Sequence, residues 1–128
     1  MQFRKKRTLE KYRAYKEKNK KEKPKCDFCL DEPSDKKLVF AHWKILKNIF
    51  PYDRIAEEHD LLIPRRHFSE ESEMTAEERE ELVFIKTRLL PKKKKYDLVW
   101  ENFSHMRSVS HYHVHLLRAK RASSVKNL

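Results

Sequence analysis

The chain has 128 residues, 40% of them charged, with a formal net charge of +11. One domain with one core fits that length, and two cysteines three positions apart are too few for a secreted disulfide framework. No apolar run approaches the roughly 18 residues that span a bilayer, and the basic N-terminus has no apolar block behind it as a secretory signal would; a cytoplasmic, reducing compartment is expected.

The positive charge is unevenly spread. Residues 1–25 hold twelve Lys/Arg against three Glu, and residues 118–128 hold four against no acid. The segment between them is slightly acidic. The charge therefore belongs to the two ends. Ends of this kind attract polyanions through counterion release, and they also serve as plain solubilising tails. Glycine is absent, so Asn, Asp and Ser must take the turn positions that glycine fills elsewhere.

Residues 4–23 are dense in Lys, Arg and Glu, with Leu9, Tyr12 and Tyr15 at helical spacing. This predicts a helix ended by Pro24, with a narrow apolar stripe that docks on the domain or on a partner subunit. Cys26 to Asp35 reads as a loop. Lys37 to Phe50 reads as extended. Asp60-Leu61-Leu62-Ile63, closed by Pro64, suits a buried strand. Thr75 and Glu78 form a capping box for a helix whose apolar face is Leu82, Val83, Ile85 and Leu89, and which Leu90 and Pro91 end. Tyr96 to Glu101 reads as a strand, Asn102 to Arg107 as a loop, and Ser108 to Leu117 as a final strand. Strands in succession with one long helix among them predict an α+β fold, an antiparallel β meander with the helix packed on one face.

The most informative stretch is His111-Tyr112-His113-Val114-His115-Leu116-Leu117. On a strand, His111, His113 and His115 share one face and Tyr112, Val114 and Leu116 the other. Three imidazoles make poor core material, because each ring needs a partner and each disfavours its neighbours' protonation. Two uses fit: a metal site with all three as ligands, or a nucleophile flanked by orienting groups. Imidazole is a good nucleophile toward phosphorus and is largely neutral near physiological pH. Cys26-Asp27-Phe28-Cys29 has the spacing of a metal knuckle. A redox pair is the other reading, but such a pair normally caps a helix after a strand. Zinc prefers four ligands, so two more must come from elsewhere, and seven histidines are present.

Three segments in order resemble the histidine-triad (HIT) superfamily of nucleotide hydrolases and transferases. Asn48 to Asp53 is similar to the turn that opens the nucleoside pocket. His59 to His67 resembles the family's His-x-Leu-hydrophobic-hydrophobic-Pro-Lys/Arg-x-His strand. Ser108 to Leu117 resembles the signature strand with its Ser/Thr-Val lead. The resemblance covers roughly residues 25–118 and implies a HIT-like catalytic domain there. A basic helical extension over 1–24 and a basic tail over 119–128 flank it.

Carried over, the resemblance makes His113 the nucleophile of a nucleotidyl-histidine intermediate. It makes His115 and His59 the polar groups that orient the site, and Ser108 a donor to a phosphate oxygen. Asn48 resembles a ribose or phosphate contact. Zinc-bearing branches, such as the hexose-phosphate uridylyltransferase-like ones, imply a structural zinc on Cys26, Cys29, His67 and His111. The family usually carries glycines before its signature strand; here the loop is Phe103-Ser104-His105-Met106-Arg107, and Arg107 offers charge toward the substrate instead. Arg65 and Arg66 are further candidates for offsetting phosphate charge. The uridylyltransferase branch replaces the third histidine with Gln, so His115 favours a hydrolase. Family members are often dimers that join their sheets, which implies a homodimer. A zinc-containing nucleic-acid-binding module using the basic tails is the alternative function, and a catalytic zinc held by the triad is a third.

Overall fold

The structure is a computed structural model, and it describes residues 2–21, 26–29, 36–103, 106–107 and 109–121. Five strands form one antiparallel sheet: β1 (Lys36–Val39), β2 (Trp43–Lys47), β3 (Ala56–Pro64), β4 (Leu98–Trp100) and β5 (Val114–Ala119), in the order β1-β2-β3-β5-β4. The first three make a meander. The chain then crosses through its helix, β4 becomes the outer edge, and β5 fills the gap beside β3. This is the α+β architecture expected, with the last strand inserted rather than appended. No helix among the described residues is long and apolar enough to cross a membrane.

The stretch over residues 37–50, read as continuously extended, is two strands. The chain turns at residues 40–42, where the Phe40 amide donates to the Trp43 carbonyl at 2.7 Å. Arg65 Nη1 donates to the Phe40 and Ala41 carbonyls, and the Glu81 carboxylate accepts from the His42 amide. Side chains from outside thus hold a turn that lacks glycine.

The helix over the sheet begins as its sequence implies. Thr75 caps α2 (Ala76–Phe84), and the reciprocal bond from the Thr75 amide to Glu78 completes the capping box. It does not stop at Leu90. A π-helical segment over Ile85–Leu89 leads into α3 (Leu90–Lys93), which contains Pro91. The physical reason is the proline ring, which clashes with the carbonyl four residues back in an α-helix. The wider turn, with the Leu90 amide donating to the Ile85 carbonyl, relieves that clash and lets the helix run on. Lys94 ends it with a left-handed backbone at φ 52°. Val83, expected on the apolar face, is exposed, whereas Leu82 and Ile85 are buried.

The two faces of the sheet do different work. Trp43, Ile45, Leu62, Tyr112, Val114 and Leu116 point to the helix side and form the main core with Leu82 and Ile85. The Trp43 indole donates to the Glu78 carbonyl at 2.8 Å, tying sheet to helix. On the opposite face Leu46, Leu61 and Ile63 make a smaller cluster with Phe28 against it. That second face carries the candidate site residues.

α1 (Lys6–Lys21) forms from strong helix formers with no proline or glycine inside. The Asp53 carboxylate accepts from the Lys5 amide and from the Thr8 hydroxyl at its N-terminal end, where negative charge is favourable. Tyr12 and Tyr15 lie 5.3 and 5.1 Å from Phe50, ring to ring. Tyr12 and Tyr15 of the stripe therefore pack on their own chain. The expected stop at Pro24, the turn at residues 33–35 and most of the C-terminal tail lie outside the described residues.

Candidate active site and metal centre

β3 and β5 are direct neighbours, with Leu61 opposite His115 and His59 opposite Leu117. The strand period of two then places His59 and His115 on one face, diagonal to each other. His59 Nε2 and His115 Nδ1 are 2.7 Å apart. The ladder begins only at Val114, so His111 and His113, expected within the strand, lie just ahead of it. The side-chain alternation nevertheless extends back to them. Tyr112 joins the helix-side core, its amide donating to the Phe68 carbonyl at 2.7 Å, and His111 and His113 turn the other way. All three triad rings are buried.

Backbone bonds decide the tautomers. His113 Nδ1 lies 2.9 Å from the His111 carbonyl. A carbonyl only accepts, so Nδ1 carries the proton and Nε2 keeps its lone pair. His59 Nδ1 accepts from the Tyr52 amide at 3.0 Å, so Nε2–H of His59 donates to His115 Nδ1. The remaining His115 nitrogen, Nε2, then holds a proton; Asn102 Nδ2, 3.5 Å away, is itself a donor because Asn102 Oδ1 accepts from the Trp100 indole, so it does not take up that proton. Tyr52 stacks on His115 with ring centroids 5.2 Å apart and planes 25° apart. Phe28 meets His113 edge-on at 5.1 Å. His113 and His115 both line one cleft, together with Asn48 and Arg107.

Burial, opposed by the bond to the His111 carbonyl, lowers the His113 pKa, which keeps the ring neutral. Burial, then the neighbouring Arg4 and His113, bring His59 to about 3. Burial, then His59 and His113, bring His115 to about 2. These two values lie below the ordinary 6.5 of an unfolded histidine. As pH falls below 6.5 the unfolded chain takes up protons that the folded site refuses. The neutral pair's share of stability is thus complete above pH 6.5 and drains away as pH falls toward 3. Denaturant unfolding between pH 7 and 4.5 should show stability falling with acid. His115→Gln should flatten that slope by about 1.4 kcal/mol per pH unit; equal slopes in the two proteins would contradict the burial argument.

The second cluster sits on the same face. Ligand atoms of Cys26, Cys29, His67 and His111 all lie within 4.8 Å of one another. Cys26 Sγ is 3.4 Å from His111 Nδ1; Cys29 Sγ is 3.2 Å from His67 Nδ1 and 3.4 Å from His111 Nδ1. Tetrahedral zinc with ordinary bond lengths requires S···N separations of about 3.6 Å, so the donor set fits. His111 Nε2 is 3.0 Å from the Pro64 carbonyl. That bond places the proton on Nε2 and leaves the Nδ1 lone pair toward the sulfurs, which is how a ligating histidine is oriented. Residues 27–29 form one short 3-10 turn that brings the two cysteines together. The four donors are thus close enough to hold a metal ion.

The third reading, a catalytic metal held by the whole triad, is not what the rings form. His111 faces the cysteines, His113 turns its Nδ1 to a backbone carbonyl, and His115 bonds to His59. Asn48 lines the cleft, but its Oδ1 accepts from the Phe50 amide at 2.9 Å and its Nδ2 approaches the His59 ring. Arg107 also lines the cleft, while its guanidinium donates to the Ser69 carbonyl at 2.7 Å and meets Glu70 at 3.3 Å. Arg65 and Arg66 are elsewhere: Arg65 holds the β1–β2 turn and Arg66 forms a two-armed pair with Glu78. Ser108, Ser104 and His105 lie outside the described residues.

Sequence reasoning passed over Tyr52, Phe28, Asn102 and α1 as parts of this site. Tyr52 and Phe28 sit within motifs already singled out, yet nothing in their spacing marks them as ring partners. Asn102 reads in the sequence only as the start of a loop.

The family model described as "Protein similar to CwfJ C-terminal" matches residues 13–127. Among solved structures, a histidine triad protein from Clostridium difficile is 23% identical with a TM-score of 0.57, covering 75% of this chain and 90% of its own. A HIT family hydrolase from Legionella pneumophila Philadelphia 1 is 23% identical with a TM-score of 0.58, covering 76% and 95%. A histidine triad nucleotide-binding protein from Candida albicans is 22% identical with a TM-score of 0.56, covering 80% and 91%. No curated protein matches the sequence.

Proposed function

The chain belongs to the family of proteins similar to the CwfJ C-terminal region and has the histidine-triad fold, and from that premise we propose that it is a nucleotide hydrolase or nucleotidyl transferase, with hydrolase favoured. The observation that carries the reading is the His113 tautomer. A proton committed to the His111 carbonyl leaves a neutral Nε2 as nucleophile in a buried ring that lines a cleft.

The reaction runs in two displacements at the α-phosphorus of a nucleotide conjugate. His113 Nε2 forms an N–P bond while the bond from phosphorus to the leaving group breaks; the leaving group departs with the electron pair and takes up a proton from solvent. Water then attacks phosphorus, the N–P bond breaks with its electrons returning to Nε2, and the water releases a proton. A different acceptor in the second step makes the protein a transferase. The His59–His115 pair orients the site, and the His115 Nε2–H is a donor to phosphate oxygens. Ser108 supplies a hydroxyl to the same phosphate, Asn48 a contact to ribose, and Arg107 a nearby positive charge. Zinc on Cys26, Cys29, His67 and His111 supplies rigidity, since four protein ligands leave no open position for substrate. A cytoplasmic homodimer is part of the same reading, with the half-exposed edge strand β4 as its seam.

Turnover in ¹⁸O-labelled water tests the reaction. Hydrolysis at phosphorus should place one solvent oxygen in each nucleoside monophosphate released from a panel of conjugates. Absence of label from the monophosphate, or no turnover of any conjugate, would contradict it.

A further inference from the structure

The cleft has a wall that the triad chemistry does not account for. It is built by α1 and the residues leading into it. Tyr12, Tyr15 and Lys16 line the cleft beside Phe50, and Arg4 lines it next to Tyr52. The Arg4 guanidinium lies 4.1 Å from the Tyr12 ring centroid and 4.9 Å from that of Tyr52. Its Nε donates to the Phe50 carbonyl at 2.7 Å. Tyr52 in turn stacks on His115, so the wall is continuous with the triad.

Charge and ring faces on this wall point to one ligand chemistry. Arg4, Lys16, Lys47 and Arg107 line the cleft, and no described carboxylate does. Lys6, Arg7, Lys11 and Arg13 are exposed along the rest of α1, so the positive potential continues away from the cleft. Phe28, Leu46 and Leu61 already give the region around His113 an apolar, uncharged surface for one base. The α1 wall adds a second aromatic surface and combines it with cations. Stacking faces beside phosphate-attracting charge are what bind a nucleotide without regard to its base.

We propose that α1 forms a subsite for a second nucleotide unit, joined through phosphate to the nucleotide that His113 attacks. The inference rests on the reaction assigned above and names its substrate class. A free dinucleotide and the end of a single strand present the same chemistry.

The test uses the full chain and the variant Lys16→Ala, with Lys16→Arg as the conservative control. The readout is the ratio of kcat/KM for a phosphate-linked dinucleotide to that for a nucleotide conjugate with a small uncharged leaving group. Lys16→Ala should lower this ratio about tenfold, the loss of one charge-assisted phosphate contact, through KM, and Lys16→Arg should restore most of it. A ratio unchanged by Lys16→Ala, or equal losses on both substrates, would overturn the subsite. Equilibrium binding of a non-hydrolysable phosphonate-linked dinucleotide, against a nucleoside monophosphate, gives a second reading that needs no turnover. Loss of turnover with the binding preference intact would count against the reaction alone. A short single-stranded oligonucleotide, compared with the dinucleotide, identifies the source: either ligand bound with the Lys16 dependence upholds the subsite, and neither bound overturns it.

Discussion

His113→Ala is expected to abolish turnover, by about 10⁴-fold or more in kcat, while the protein remains folded. The magnitude follows from what the side chain supplies. Without Nε2 no N–P bond forms, and direct attack by water lacks a covalent route. The fold should survive because the ring belongs to the sheet's second face and not to the core beneath the helix. Its partners there are the His111 carbonyl and the edge of Phe28, and Trp43, Leu62, Tyr112 and Leu116 stay packed without it. Steady-state kinetics with circular dichroism separates the two effects. A variant with more than a hundredth of normal kcat would show that another group attacks phosphorus.

Cys26→Ser is expected to lower zinc content and stability together, by about 4 kcal/mol or more. The four donors come from three separate places, the turn before β1, the residues just past the end of β3 and the approach to β5. A metal held there would cross-link them, and its binding energy would become folding energy. His111 is one of the four donors, and its carbonyl accepts from His113, so such a cross-link would also fix the aim of His113. Zinc stoichiometry measured beside denaturant unfolding checks the claim. A zinc-free Cys26→Ser protein with normal stability and normal activity would show that the cluster is incidental.

Much of this site was legible in the chain because its logic is local. Alternation of His111, His113 and His115 with Tyr112, Val114 and Leu116 separates two faces in any extended segment. It held even where the ladder itself starts late. The spacing of Cys26 and Cys29 fits a metal knuckle, with a redox pair as the other reading, and nothing local selects His67 and His111 from the seven histidines; the resemblance does that. Thr75 and Glu78 marked a helix start correctly because both partners lie within one turn. The helix end was misjudged at Pro91 because the π-helical segment that absorbs the proline is a tertiary compromise. Val83 was expected on the apolar face beside Leu82, but it is exposed while Leu82 and Ile85 are buried. Tyr52 against His115, and Tyr12 against Phe50, join residues 63 and 38 positions apart. Contacts of that range leave no periodic trace in a single sequence. For the same reason α1 read as a charged extension, and its place on the cleft wall emerged only from the fold.

The most direct test of the account is to trap its covalent intermediate. The protein is mixed with a nucleotide conjugate labelled at the α-phosphate, quenched at alkaline pH, digested and analysed by mass spectrometry. The account predicts an acid-labile nucleotidyl adduct on the peptide that contains residues 111–117, localised to His113 and absent from His113→Ala. Turnover with no adduct under rapid quenching, or an adduct on any other residue, would contradict it.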